Sequence, residues 1–202
     1  MGMPKSGKTS IAKVVFQKMS PHETFFLTQT NSIEMQPVQN NDNIQFNVVD
    51  FPANVQFKAD VAQHISQCGA LIYVIDAQQQ DYESACVNLK DIIKATSEIA
   101  PNIVYEVFIH KIDSDMFLMD DAKNDCLGEI HNNMRGLLAE HTLPTSLSFQ
   151  LTSIYDHTIF EALSKVVQKL LPQQAFISSM LDSLISRSKI QKAFLFDVIS
   201  KI

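Results

Sequence analysis

The chain has no tryptophan, and among its 202 residues it holds only five glycines and three cysteines. Cys68, Cys86 and Cys126 are far apart and form no C-x-x-C pair, and the six histidines show no H-E-x-x-H or other zinc-ligand spacing. A reducing cytosol and no structural metal are therefore expected. Positive charge is also in deficit. Sixteen Lys and Arg against 22 Asp and Glu leave a net charge of -6, which argues against nucleic-acid backbone as the main partner. It does not argue against a phosphate ligand, which needs only a few local amides, one Lys and a cation. Long apolar runs are missing too. The longest, "ALIYVI" at 70–75, falls far short of the roughly 20 residues that cross a bilayer, and no charged-then-apolar leader opens the sequence. Neither secretion nor direct membrane insertion is expected. What remains is 46% hydrophobic and 19% charged, enough for one well-packed soluble domain plus something short beside it.

β-Branched and aromatic runs recur at 43–51, 70–77, 102–111 and 147–153, each a strand candidate. Between them lie helical stretches at Thr9–Met19, Tyr82–Ser97, Asp121–Glu140 and Ile159–Leu171. The last is clearest, because Ile159, Leu163, Val166, Val167, Leu170 and Leu171 fall on one stripe and Thr158 with Glu161 spells a capping box. Alternation of this kind predicts an α/β domain with a mostly parallel sheet. "QNNDN" at 39–43 reads as a plain turn before a strand. After Pro172 the pattern changes to a helix candidate and then a strand candidate, "KAFLFDVISKI", expected to open a second domain.

The first ten residues, "MGMPKSGKTS", carry two readings. Gly2 and Ser6 fit the M-G-x-x-x-[ST] acceptor for a myristoyl group. Gly2 to Thr9 also spell G-x-x-x-x-G-K-[ST], a phosphate-binding loop. Its glycines let the amides of Lys5, Ser6, Gly7, Lys8, Thr9 and Ser10 turn inward, Lys8 supplies a flexible point charge, and Thr9 offers a hydroxyl to magnesium. The two readings exclude each other, since acylating Gly2 would block the loop. Three further signals favour the loop. "VVDFPAN" ends a strand in Asp50, where an acid can hold magnesium through its water shell. "FIHKID" closes another strand with His110, Lys111 and Asp113, and the Asp113 carboxylate can accept both hydrogen bonds that guanine, unlike adenine, offers. "LTSIYD" then puts the backbone of Thr152, Ser153 and Ile154 where it can meet the guanine oxygen.

This order of motifs resembles the Ras-like small GTPases. More closely, "KVVFQKMSP", "GALIYVIDA", "VFIHKID", "LTSIYDHTIFEALSKVVQKLLP" and "KAFLFDVISKI" are similar to the C/D branch of the Rag GTPases. The resemblance implies a Ras-like P-loop GTPase sheet with helices on both faces over residues 1–172, and the start of a truncated roadblock-type dimerisation domain at 173–202. In such a sheet the strand feeding the loop lies between the strand ending at Asp50 and the strand holding Tyr73. That first central strand is absent from this sequence, so a gap between those two, or their collapse together, is expected. The resemblance also implies GTP or GDP with Mg2+ as ligands, an A/B-branch Rag as heterodimer partner, and docking through partners at the lysosomal or vacuolar surface. There a membrane scaffold complex and the target-of-rapamycin kinase complex would read amino-acid status.

Carried over by residue, Lys8 matches the loop Lys, and Thr9, Thr30 and Asp50 match the magnesium set. Thr30 is the switch-one Thr that reaches the γ-phosphate only in the triphosphate state. His110, Lys111 and Asp113 match the base-reading motif. Two positions depart from the pattern. Ala53 stands where the family has Gly, and Asn54 where it usually has the Gln that orients attacking water. Slow hydrolysis follows, with Lys8, Thr30 and Asn54 as the groups nearest the chemistry. The stretch from Ala53 to Cys68 is also shorter than its family counterpart. A pseudo-GTPase interaction module that holds nucleotide permanently or none at all, and a P-loop kinase of small molecules, stand as rival readings. The kinase is disfavoured because "HKID" has no role in it and no Arg-rich lid is visible.

Overall fold

The computed structural model describes residues 1–41, 44–53, 59–79, 81–141 and 146–196. Its centre is a parallel sheet of β3 (Ala70–Asp76), β4 (Val104–His110) and β5 (Leu147–Thr152), which follow a two-stranded antiparallel pair, β1 (Glu34–Asn41) and β2 (Ile44–Asp50). The sheet is covered on both faces, as parallel sheets require. On one face α2 (Ala59–Ser66), α3 (Tyr82–Ile99) and α4 (Asp120–Glu140) bury Ile65, Leu89, Ile93, Ile130 and Met134. On the other, α1 (Lys8–Gln17) and α5 (Thr158–Leu170) bury Ile11, Val15, Ile159, Leu163 and Val166 against Val74 and Phe108. The apolar runs of β3 and β4 follow from this double burial, since every residue from Tyr73 to Asp76 and from Tyr105 to His110 is buried.

Glu106 breaks the apolar run of β4. It is fully buried, and its Oε1 accepts from Lys169 Nζ at 2.5 Å across the sheet from α5. Lys169 also donates to Ser148 Oγ at 2.7 Å, which pins the last turn of α5 to two strands.

The four strand runs and four helices expected from periodicity all form, with ends shifted by at most three residues. Three expectations are corrected. Residues 39–41 of the expected 39–43 turn belong to β1, and residues 42–43 lie outside the described residues. The capping box at Thr158–Glu161 does not form, because Thr158 Oγ1 instead accepts from Ser153 N at 2.9 Å and His157 takes the N-cap position. Residues 192–196 form no strand; they follow α6 (Gln174–Arg187), none of whose residues is buried. Residues 197–202 of that strand candidate lie outside the described residues.

Among the described residues β2 and β3 belong to separate sheets with no pairing between them, and the expected gap is there. A cavity of about 180 Å3 separates them, lined by Phe46, Val48 and Asp50 of β2, Leu71, Ile72 and Val74 of β3, and side chains of α1 and α5. Met1 and Gly2 occupy one end of it. Met1 N donates to Ile72 O at 2.8 Å, Val74 N donates to Met1 O at 2.9 Å, and Gly2 bridges Val74 in parallel. A Cβ on Gly2 would stand 2.3 Å from Val74 O, so only glycine lets the chain pass so close to β3 and then turn toward α1.

Candidate functional site

Asp76, His110 and Thr152 lie on one rung at the carboxyl ends of the parallel strands, where open α/β sheets place their ligands. Facing that rung, the Gly2–Thr9 loop runs into the start of α1. Gly7 takes a left-handed φ of 100° as its N-cap, and no side chain caps the helix, so its first amides stay open toward the cleft. The cleft has a volume of about 720 Å3. Lys5, Gly7, Lys8, Thr9, Ser10, Thr30, Ala53, His110, Lys111, Asp113 and Ile154 line it, so most of the residues singled out from sequence converge on one space. Gly2 and Ser6 are buried behind the loop and shape it from inside.

At one end the three hard oxygens expected around a cation meet. Thr9 Oγ1 donates to Asp50 Oδ2 at 2.5 Å and is 2.8 Å from Thr30 Oγ1. Thr30 comes to this point from an irregular segment, tied by Thr9 rather than by a regular element. Hydroxyl and carboxylate oxygens in one place are the donor chemistry that suits magnesium. Beside them Lys8 curls back, donating from Nζ to Gly2 O at 2.9 Å and Met3 O at 2.8 Å. Burial pushes the Lys8 ammonium below its ordinary value, with Asp50 opposing the shift.

At the other end Asp113 is exposed, and its Oδ1 accepts from Ser153 Oγ at 2.6 Å. Ser153 Oγ in turn accepts from Tyr155 N at 3.0 Å, which closes the turn after β5 and leaves the rest of the carboxylate facing the cleft. The Tyr155 ring packs against His22 with centroids 5.6 Å apart, joining this end to the helical turn Pro21–Phe26.

His110 sits between the two ends. It is 1% exposed, its Nδ1 is 3.0 Å from Thr152 Oγ1, and its ring lies directly under Gly7. Burial first, and then the Lys111 charge, push its pKa down to about 4, so the ring is neutral at pH 7. Its place is thus under the loop as well as beside the base-reading turn. Lys111 does not point freely into the cleft: its Nζ donates to Lys5 O at 2.8 Å and to Asp76 Oδ2 at 2.6 Å. Sequence reasoning passed over Asp76, although a lone acid closing the apolar run "ALIYVID" matches Asp50 in position. It also passed over Tyr155 and Phe25, whose aromatic rings line the cleft. Asn54 lies outside the described residues.

A parallel sheet with helices on both faces, a glycine-bounded loop opening the first helix, and acids at the strand ends together define a domain of the Ras-like G-domain class. The comparisons narrow this. Residues 1–202 match the family described as the Gtr1/RagA G protein conserved region, and the chain belongs to that family. It is 48% identical, over its full length, to "Ras-related GTP-binding protein C" of Homo sapiens, and it covers 51% of that protein. It is 45% identical to "GTP-binding protein gtr2" of Schizosaccharomyces pombe, covering 64% of it. Identity to "GTP-binding protein gtr1" of the same yeast is 26% over 98% of this chain, so the likeness lies with the protein C, D and gtr2 branch, as the sequence resemblance implied. The chain spans about half the length of the protein C relative. No helix among the described residues is long and apolar enough to cross a membrane.

Proposed function

We propose that this chain is the guanine-nucleotide-binding switch domain of a Rag-type GTPase, binding GTP and GDP with Mg2+ and hydrolysing GTP slowly. One observation carries the reading: Thr9, Thr30 and Asp50 meet at the open start of α1, while Asp113 and Ser153 stand at the far end of the same cleft. The cleft, of about 720 Å3, is large enough for a nucleotide whose phosphates lie on the loop and whose base reaches Asp113. Thr9, Thr30 and Asp50 would hold the magnesium ion, which when bound neutralises developing phosphate charge. The protein's own part is positional. The loop amides and Lys8 bind the phosphates, Asp113 selects guanine, and Thr30 reports the γ-phosphate by moving with it.

Slow turnover follows from Ala53, whose methyl group lines the cleft where the family pattern has glycine, and from Asn54, one methylene shorter than Gln. Ala53 also favours the second reading, a module that holds nucleotide and does not cycle. Family likeness supports the wider setting: pairing with an A/B-branch partner through a roadblock-type region beginning near residue 173, and signalling at the lysosomal or vacuolar surface to the target-of-rapamycin complex. Extraction of nucleotide from the purified chain tests the core of the proposal. Recovered GDP or GTP supports it, and adenine nucleotide or none refutes it. Single-turnover phosphate release separates the two readings, and Asn54→Gln should raise that rate if water positioning is limiting.

A further inference from the structure

Two non-glycine residues in left-handed backbone face each other at the cleft floor, Lys5 with φ 62° and Lys111 with φ 67°. A Cβ makes this conformation costly, so it persists only where surroundings enforce it. Here the enforcing bonds form a closed ring. Asp76 Oδ2 accepts from Lys111 Nζ at 2.6 Å, Gln78 Nε2 donates to Lys111 O at 3.1 Å, and Gln78 N donates to Asp76 Oδ1 at 3.0 Å. From this ring Lys111 Nζ reaches out to Lys5 O at 2.8 Å. Asp76 is 7% exposed and both its oxygens are engaged, whereas packing alone would be served at that position by another apolar residue. A carboxylate buried at a strand end and spent wholly on one ammonium and one amide is there to fix something.

We propose that Asp76 is a positioning residue of the nucleotide site: it holds Lys111 so that its ammonium grips the Lys5 carbonyl, and thereby fixes the turn that aims the loop amides into the cleft. The proposal rests on the nucleotide reading above. It makes Lys111 chiefly a brace for the loop, with two of its three N–H groups already committed to protein. Its consequence is selective. The brace acts on the phosphate end, while Asp113, two residues beyond Lys111, is held by its own hydrogen bond to Ser153 in the segment after β5.

The test measures GDP by fluorescent-nucleotide dissociation and guanosine by ligand-observed NMR, in the wild type, Asp76→Asn, Lys111→Met and the double variant. Asp76→Asn should weaken GDP binding about 10- to 100-fold, the range for a lost charge-assisted hydrogen bond, and change guanosine binding less than twofold. In the Lys111→Met background, Asp76→Asn should add almost nothing. Equal losses for GDP and guanosine, or fully additive effects, would make Asp76 a support of the whole sheet end and overturn the proposal. Should Asp76→Asn fail to fold, Gln78→Ala carries the test, because its side chain is exposed and donates to Lys111 O; it also lines the cleft, so guanosine is measured beside GDP: GDP release about threefold faster with guanosine binding unchanged supports the brace, and an unchanged GDP rate or equal losses for both ligands overturn it. A wild type that binds neither ligand refutes the nucleotide reading itself, whereas a wild type that binds while Asp76→Asn behaves identically refutes only the role of Asp76.

Discussion

A methyl group on Gly7 would stand 2.6 Å from Cδ2 of His110, closer than real Cβ contacts come. The imidazole therefore acts as the floor on which the loop rests, and the absence of a side chain at position 7 is a packing requirement as well as a backbone one. Gly7→Ala meets both, since its φ is 100°. We expect a loss of roughly 2 kcal/mol in urea unfolding together with loss of retained nucleotide. His110→Asn in the same chain should restore part of the stability by removing the contact, but not the share that comes from φ.

The same burial makes His110 a source of pH dependence. Its folded pKa of about 4 lies below the ordinary 6.5, so the unfolded chain takes up a proton first as pH falls. The stability it contributes is complete above pH 6.5 and is lost progressively down to about pH 4. Between pH 6.5 and 5, before most carboxylates titrate, the wild type should lose about 2 kcal/mol that His110→Asn does not. Parallel urea curves for the two proteins across that window would remove His110 as the cause.

Burial also sets the stakes at Glu106. Lys169→Met leaves a fully buried carboxylate without its cation and should cost about 3 kcal/mol. Glu106→Gln with Lys169 intact should cost less, because the amide oxygen still accepts from the ammonium. Thermal unfolding of the two variants ranks them, and equal losses would contradict the pairing argument.

Elements with strong periodicity were legible from residues alone: the stripe of α5 and the apolar runs of β3 and β4 left one reading each. What was not legible had a local reason. β1 is polar and contains Pro37, so "EMQPVQNN" carries no alternation, and it is a strand only because β2 offers it an antiparallel partner. The turn Pro21–Phe26 did carry a signal, S-x-x-E, which Ser20 N uses by donating to Glu23 Oε2 at 3.1 Å. Among the described residues, most of the motif side chains line one cleft. The ring of Asp76, Lys111 and Gln78 could not be read, because its members are set by backbone geometry at three separate positions.

The cation end of the cleft predicts a dependence on magnesium. With Thr9, Thr30 and Asp50 as the oxygen donors, chelation by EDTA should speed GDP release from the wild type, on the order of tenfold or more. Thr9→Ala should release GDP quickly with or without EDTA, since it removes the hydroxyl that both other groups contact. An EDTA response in Thr9→Ala as large as in the wild type would take Thr9 out of the metal set.

Guanine selection is expected to rest on Asp113. Ser153 Oγ donates to Oδ1 at 2.6 Å, which fixes the carboxylate plane and leaves it an acceptor toward the cleft. Asp113→Asn replaces an acceptor by a donor opposite the exocyclic amine of guanine, and it places that donor where xanthine presents an oxygen. GTP affinity should fall about 10- to 100-fold, the equivalent of roughly 1.5 to 3 kcal/mol for a charged hydrogen bond lost, while xanthosine triphosphate affinity rises. Because Asp113 is exposed and an Asn at 113 can still accept from Ser153 Oγ, stability should change by less than about 0.5 kcal/mol, so a binding change cannot be charged to unfolding. Competition between GTP and xanthosine triphosphate for the same labelled nucleotide reads both arms at once. Unchanged preference for GTP in Asp113→Asn would remove Asp113 from base recognition and leave the far end of the cleft without a reader.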